Sequence, residues 1–234
     1  MRIVLDGMGG DNAPQVVVEG AVASTKEMPH EIIIVGQEDA INECLKKTGY
    51  TGDKIKVVNA TEVITNEEAP VRAVRSKKDS SMVKGINMVK AGEGDVFISA
   101  GSTGALLAGG LFILGRIQGI DRPSLATVYP VIGSVPSLLT DAGANAECKP
   151  NNLLEFGIMG SVYMEKVMGR ENPTVGLVNN GSEEKKGTTL TKAAHEMLKK
   201  SHLNFIGNVE ARELPNGACD VIVADGFTGN AILK

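Results

Sequence analysis

Tryptophan is absent from this chain and aromatic residues make up only 3% of it. Single-stranded nucleic acid is usually gripped by stacking bases on aromatic side chains, so that surface is not available here. A net charge of −4 at pH 7 offers no global attraction to nucleic acid or anionic lipid either. Cysteine is equally scarce. Cys44, Cys148 and Cys219 are too few and too scattered for a disulfide framework, and no pair has zinc-ligand spacing. A reducing cytoplasm is the expected compartment. The three histidines, His30, His195 and His202, fall in no catalytic pattern: there is no His-Glu-x-x-His zinc pair and no Gly-x-Ser-x-Gly elbow. No metal and no organic cofactor is expected.

Membrane-length apolar runs are also missing. Twenty uncharged residues lie between Asp95 and Arg116, which is long enough to span a bilayer. Their content is that of strand, turn and helix: Val96-Phe97-Ile98, then Ser99-Ala100-Gly101-Ser102-Thr103-Gly104, then an apolar run to Leu114. The uncharged stretch 123–140 holds Pro123, Pro130 and Pro136, so it is not one helix. Both read as buried core. At the start, Asp6 interrupts the chain before a signal-peptide apolar region can form.

Glycine is abundant, at 28 of 234 residues against an average share of ~7%. The glycines punctuate a recurring unit of short apolar run, turn and helix. Strands are expected at 3–5, 31–35, 54–58, 96–99, 174–178, 205–206 and 221–224. Helices are expected from about Asn12, and at 38–47, 104–115, 151–168 and 188–200. The segment 124–141 reads as a hairpin. Such alternation predicts a single α/β domain over 1–234, with a doubly wound, mostly parallel sheet and helices on both faces. Ligands in such sheets bind beyond the carboxyl ends of the strands. Function is therefore expected in the turns 6–12, 99–104, 141–147, 179–188 and 225–230. The last helix begins too late to cover the sheet, so a further C-terminal portion is expected.

Each turn carries a chemical possibility beside a plainer one. Gly7-Met8-Gly9-Gly10-Asp11 lacks the third glycine of a dinucleotide fingerprint, and Asp11 would repel a pyrophosphate. A tight turn with a helix cap fits better. In 99–104 the glycines let backbone N–H groups face an anion, and Ser102 and Thr103 add hydroxyls. The alternative is that one of them caps a helix. In 179–188, Lys185 and Lys186 precede a helix and suit phosphate or an oxyanion, or else form a solvated loop. Asp225-Gly226-Phe227-Thr228-Gly229-Asn230 offers an acid, a hydroxyl and an amide, or a simple cap. Arg72, Arg75, Lys77 and Lys78 form the one dense basic cluster, suited to an acidic partner or to solvent. Cys148 beside Lys149 is read as a packed residue before a nucleophile.

Together these turns resemble those of the PlsX-type phosphate acyltransferases of bacterial phospholipid synthesis. The resemblance rests on the 6–11, 99–105 and 225–230 stretches, and on Pro70-Val71-Arg72-Ala73-Val74-Arg75, Gly115-Arg116-Ile117 and Gly119-Ile120-Asp121-Arg122-Pro123. It continues through Gly143-Ala144-Asn145, Ile158-Met159-Gly160-Ser161-Val162-Tyr163 and Gly207-Asn208-Val209-Glu210-Ala211-Arg212. It implies transfer of a fatty acyl group from acyl carrier protein to inorganic phosphate, on a fold like that of phosphate acetyltransferases and isocitrate-dehydrogenase-type enzymes. The homodimer, and a peripheral membrane contact through a C-terminal part, are implied in the same way. So is a catalytic part for Lys185 and Asn230. Phosphate and substrate contacts are expected at Ser102, Thr103, Gly104, Asn145, Asp225, Thr228 and Gly229, and carrier docking at Arg72, Arg75, Lys77 and Lys78. Where the family commonly has Asn, this chain has Ser102. A short-chain acyl-CoA phosphate acyltransferase, or a non-catalytic membrane-associated organiser, would be the alternatives.

Overall fold

The computed structural model describes all residues, 1–234. Where the sequence suggests one domain and one sheet, two compact units are found, Met1–Arg116 and Ile117–Lys234, each with its own sheet. Strand–helix alternation predicts strands but does not say which strands pair, and that is where the single-sheet expectation fails. The α/β class and the mostly parallel pairing hold in both units.

In the first unit, β1 (Arg2–Asp6), β2 (Glu31–Gly36), β3 (Ile55–Asn59) and β4 (Val96–Ile98) form an all-parallel sheet ordered β3-β2-β1-β4. The β-branched run Ile32-Ile33-Ile34-Val35 explains why it is covered twice. Side chains alternate across a strand, so Ile32 and Ile34 pack with Val18 and Ala21 of α1 (Gln15–Ser24) and Ile41 of α2 (Glu38–Thr48). Ile33 and Val35 face the opposite way, with Val4, Ala60 and the partly buried Met88 and Val89 of α4 (Ser81–Lys90). The sequence suggests no element between 59 and 96, yet α3 (Pro70–Ser76) and α4 both lie there. Pro70 starts α3 at the position where a missing N–H costs nothing, and Ser80 caps α4. α5 (Thr103–Gly109) then passes into a π-helical turn, Gly110–Leu114.

In the second unit, β5 (Ala126–Tyr129) and β6 (Ser137–Thr140) form the expected antiparallel hairpin. β7 (Thr174–Asn179), β8 (Asn204–Glu210) and β9 (Val221–Val223) join in parallel, in the order β5-β6-β9-β7-β8. One face buries Leu138, Val175, Leu177, Val221 and Val223 against α6 (Pro150–Lys166) and α7 (Thr189–Lys199). The other buries Leu139, Val178, Val209 and Ile222 with Leu214 of a short 3₁₀ turn, and Ile232 of α8 (Gly226–Leu233) packs on it. No helix is long and apolar enough to cross a membrane.

Candidate active site

β9 pairs with β6 on one side and β7 on the other. Because all three run parallel, their carboxyl ends emerge together, bringing the turns 141–147, 225–230 and 179–188 to one edge of the second unit. The turns 6–12 and 99–104 follow β1 and β4, which are neighbours in the first unit's sheet.

Between the 179–188 turn and α8 lies a cleft of about 700 Å³. Asn179, Asn180, Gly187, Thr188 and Thr191 line one wall and Asp225, Thr228, Ala231 and Ile232 the other, over Leu177, Val178 and Ala224. Its size is that of a small-molecule site. Lys185 and Asn230 are not among its lining residues.

The polar groups at the head of α8 are engaged with one another. Asp225 caps the helix, its carboxylate accepting from the Thr228 N–H at 2.9 Å and the Thr228 hydroxyl at 2.9 Å. The Gly226 N–H donates to the Asn145 carbonyl at 2.8 Å. Gly229 lies against the Asp141 carbonyl so closely that a Cβ would collide with it. Asn230 turns its amide to the Ala142 carbonyl at 3.3 Å. Gly143, at φ +136°, leaves room for that amide, which would sit 2.9 Å from a Cβ there. Thus Asn145, Asp225, Thr228, Gly229 and Asn230 do gather, and Asp225 and Thr228 serve first as a cap.

Lys185 stands exposed in a turn that is pinned on either side of it. Asn179 Nδ2 donates to the Lys186 carbonyl at 3.2 Å, and buried Asn208 donates to the Glu183 carbonyl at 2.8 Å. Glu184 pairs with Lys199 at 2.7 Å, which holds its carboxyl below the usual range and raises the lysine. Glu184, His195 and Glu196 are the side chains grouped closely enough to hold a metal, with ligand atoms within 4.8 Å of one another. The Lys199 ammonium on Glu184 opposes a cation there.

In the first unit the 99–104 turn is knitted to the 6–12 turn. Ser99 Oγ donates to buried Asp6 at 2.7 Å and accepts from the Gly101 N–H at 3.0 Å, while the Met8 N–H reaches the same carboxylate at 3.2 Å. Ser102 is the cap of α5, its hydroxyl accepting from the Ala105 N–H at 3.4 Å. Thr103 and Gly104 are exposed at that helix start.

The basic cluster is only partly available. Lys77 is held by Glu68 at 2.7 Å and the Val63 carbonyl at 2.6 Å, and Lys78 donates to the Val74 carbonyl at 3.3 Å. Arg75 lies 5.1 Å over the Phe112 ring. Arg72 and Arg75, with Ala69, Val71 and Ser76, border a shallow groove of about 500 Å³.

Cys148 donates to the Asn145 carbonyl at 3.3 Å, and burial pushes its thiol up. A raised thiol is a poor nucleophile near neutrality, in line with the sequence reading. Sequence reasoning missed Asp141, which is fully buried at the centre of the 141–145 turn. An aspartate after a strand is too common to draw notice.

A family model described as "Fatty acid synthesis protein" matches residues 1–234. A phosphate acyltransferase of Alkaliphilus oremlandii is 58% identical over all of this chain and 70% of its own length. One from Clostridioides difficile is 54% identical over all of this chain and 69% of its own. Among solved structures, a phosphotransacetylase from Streptococcus pyogenes aligns with TM-score 0.71 at 23% identity, covering 99% of this chain and 79% of that one. That likeness establishes the fold. The identity to the relatives establishes the family: this chain belongs to the fatty acid synthesis proteins and, among them, to the PlsX-type phosphate acyltransferases.

Proposed function

We propose that this protein moves a fatty acyl group from the thioester of acyl carrier protein to inorganic phosphate, giving an acyl phosphate for phospholipid synthesis. The observation that carries this reading is identity of 58% over the whole chain to a phosphate acyltransferase. The three strand-end turns gathered in the second unit give it a place to happen.

The chemistry asks little of side chains as nucleophiles. A thioester is already activated, and a phosphate oxygen attacks its carbonyl carbon directly. The C–O bond forms, the C–S bond breaks, and the carrier thiolate leaves and takes up a proton. The protein holds the phosphate and stabilises the oxyanion. Lys185 neutralises that charge, Asn230 orients the reacting group, and Asn145 and Gly229 hold the turn against which Asn230 rests. Asp225 and Thr228 shape the cleft wall. In the first unit, Ser102, Thr103 and Gly104 present the start of α5 to an anion. No cofactor or metal takes part.

Acyl carrier protein is taken as an acidic partner received at Arg72 and Arg75, whose groove also exposes Val71. Lys78 adds charge at its margin, and Lys77, already paired, contributes least. A homodimer belongs to the same reading, and Val128, Ile132 and Val135, exposed on one hairpin of the second unit with Ile132 75% accessible, are the apolar side chains it would cover. Cytoplasmic residence with peripheral membrane contact through a C-terminal part completes the proposal.

The test is release of free carrier-protein thiol from long-chain acyl carrier protein by the full-length protein. Release that needs phosphate and yields equimolar acyl phosphate is expected. A preference for acetyl-CoA would point to a short-chain enzyme, and no acyl phosphate from either donor would leave an organising role.

A further inference from the structure

Asp141 follows β6 directly and is fully buried, and its carboxylate collects five hydrogen bonds. One oxygen accepts from the backbone N–H groups of Leu125 at 3.0 Å, Gly143 at 3.2 Å and Ala144 at 3.0 Å. The other accepts from Asn145 twice, from its N–H at 2.7 Å and its side-chain amide at 2.8 Å. Only a carboxylate presents two oxygens and no donor. An asparagine in its place would turn an NH₂ toward donors on one side.

These bonds shape more than a turn. The wrapped segment directs two carbonyls at α8: Ala142, which receives the Asn230 amide at 3.3 Å, and Asn145, which receives the Gly226 N–H at 2.8 Å. Both the start of α8 and the aim of Asn230 are therefore set by a loop folded around one side chain. A second acid of the same sheet serves as a comparison. At the opposite end of the strands, Asp220 just before β9 accepts from the Thr174 N–H and hydroxyl, each at 2.8 Å, and from Arg170, with no contact to the proposed site residues.

We infer that Asp141 is a positioning residue for acyl transfer, holding the Asn230 amide through Ala142 and the head of α8 through Asn145. This rests on the reading above in which Asn230 takes part in turnover.

The experiment measures kcat and KM with long-chain acyl carrier protein and phosphate in the full-length protein, for Asp141→Asn, Asn230→Ala, the double variant and Asp220→Asn. Displacing Asn230 by a fraction of an ångström to an ångström should lower kcat of Asp141→Asn by roughly 10- to 100-fold, with KM for phosphate nearly unchanged. The double variant should be no slower than Asn230→Ala, because the two act as one unit. Asp220→Asn should melt earlier and keep its kcat. Multiplicative losses in the double variant, or a normal kcat for folded Asp141→Asn, overturn the inference while leaving Asn230 in place. Normal turnover by Asn230→Ala overturns the reading beneath it and the inference with it. If Asp141→Asn does not fold, Asn145→Ala removes the side-chain amide contacts of the same loop. It should slow turnover several-fold without adding to Asn230→Ala, and additivity there is equally contrary.

Discussion

Each unit ends a strand on a buried aspartate, Asp6 at the end of β1 and Asp141 after β6, and the two carboxylates are used differently. Asp6 takes one backbone N–H, from Met8, and one hydroxyl, from Ser99. It cross-links two turns that follow neighbouring strands. Asp141 takes four backbone N–H groups and an amide, and it folds one turn around itself. The first arrangement ties two loops together through a single hydroxyl. The second consumes the loop's donors and leaves its carbonyls to receive α8. A buried acid at a strand end is therefore a loop organiser in both units, and only in the second does the organised loop hold a residue assigned to turnover.

The comparison can be broken first at its functional end. Replacing Lys185 with Ala in the full-length protein should lower turnover by roughly 10²-fold, the scale of losing one oxyanion donor. Its melting temperature should barely move, because the side chain is exposed. Wild-type turnover would take Lys185 out of the chemistry.

Gly229→Ala comes next. Its Cβ would press on the Asp141 carbonyl, a backbone atom that cannot swing aside. A loss of roughly 3 kcal/mol in chemical unfolding is expected, and little change would mean that α8 is free to move off the 141–145 loop. Ser99→Ala probes the first unit. It deprives Asp6 of its hydroxyl and the Gly101 N–H of its acceptor, for a loss of roughly 1–3 kcal/mol. A loss well above that of Gly229→Ala would reverse the order of the two units.

The last test lies in the second unit's core, and its effect is confined to alkaline pH. Burial pushes the Cys219 thiol up from 9.0 to about 12. A thiol with a raised folded-state value stabilises the fold below its unfolded value. That contribution declines as pH climbs from about 9 toward about 12, at up to about 1.4 kcal/mol per pH unit. Cys219→Ala should flatten the alkaline fall in stability, and an unchanged slope would assign it to other groups.

Much of the fold could be read from the residues because β-branched runs such as Ile32-Ile33-Ile34-Val35 admit few alternatives, and glycines mark where they stop. The hairpin at 124–141 followed from the same signals, and the helix expected at 151–168, found as Pro150–Lys166, from apolar residues at helical spacing. The division into two sheets could not be read, since it depends on which strands pair across long stretches of chain. Helix α3 spans only seven residues, too few for a periodic pattern, whereas in α4 Met82, Val83, Ile86 and Val89 recur at helical spacing, a signal that was present and passed over. In the candidate site, glycine-rich turns after strands pointed to loops that gather at the carboxyl ends of the strands. They offered helix capping beside ligand contact for the 99–104 and 225–230 turns, and the capping reading holds for Ser102 and Asp225; that Asp141 lies beneath Asn230 depends on contacts made only once the chain is folded.

The central claim is that this strand edge passes an acyl group straight to phosphate, with no acylated side chain between. Intact-mass measurement of the full-length protein, mixed with long-chain acyl carrier protein in phosphate-free buffer, tests it directly. The account predicts an unmodified mass, with acyl phosphate formed only when phosphate is added. A protein heavier by one acyl group, discharged on adding phosphate, would contradict it.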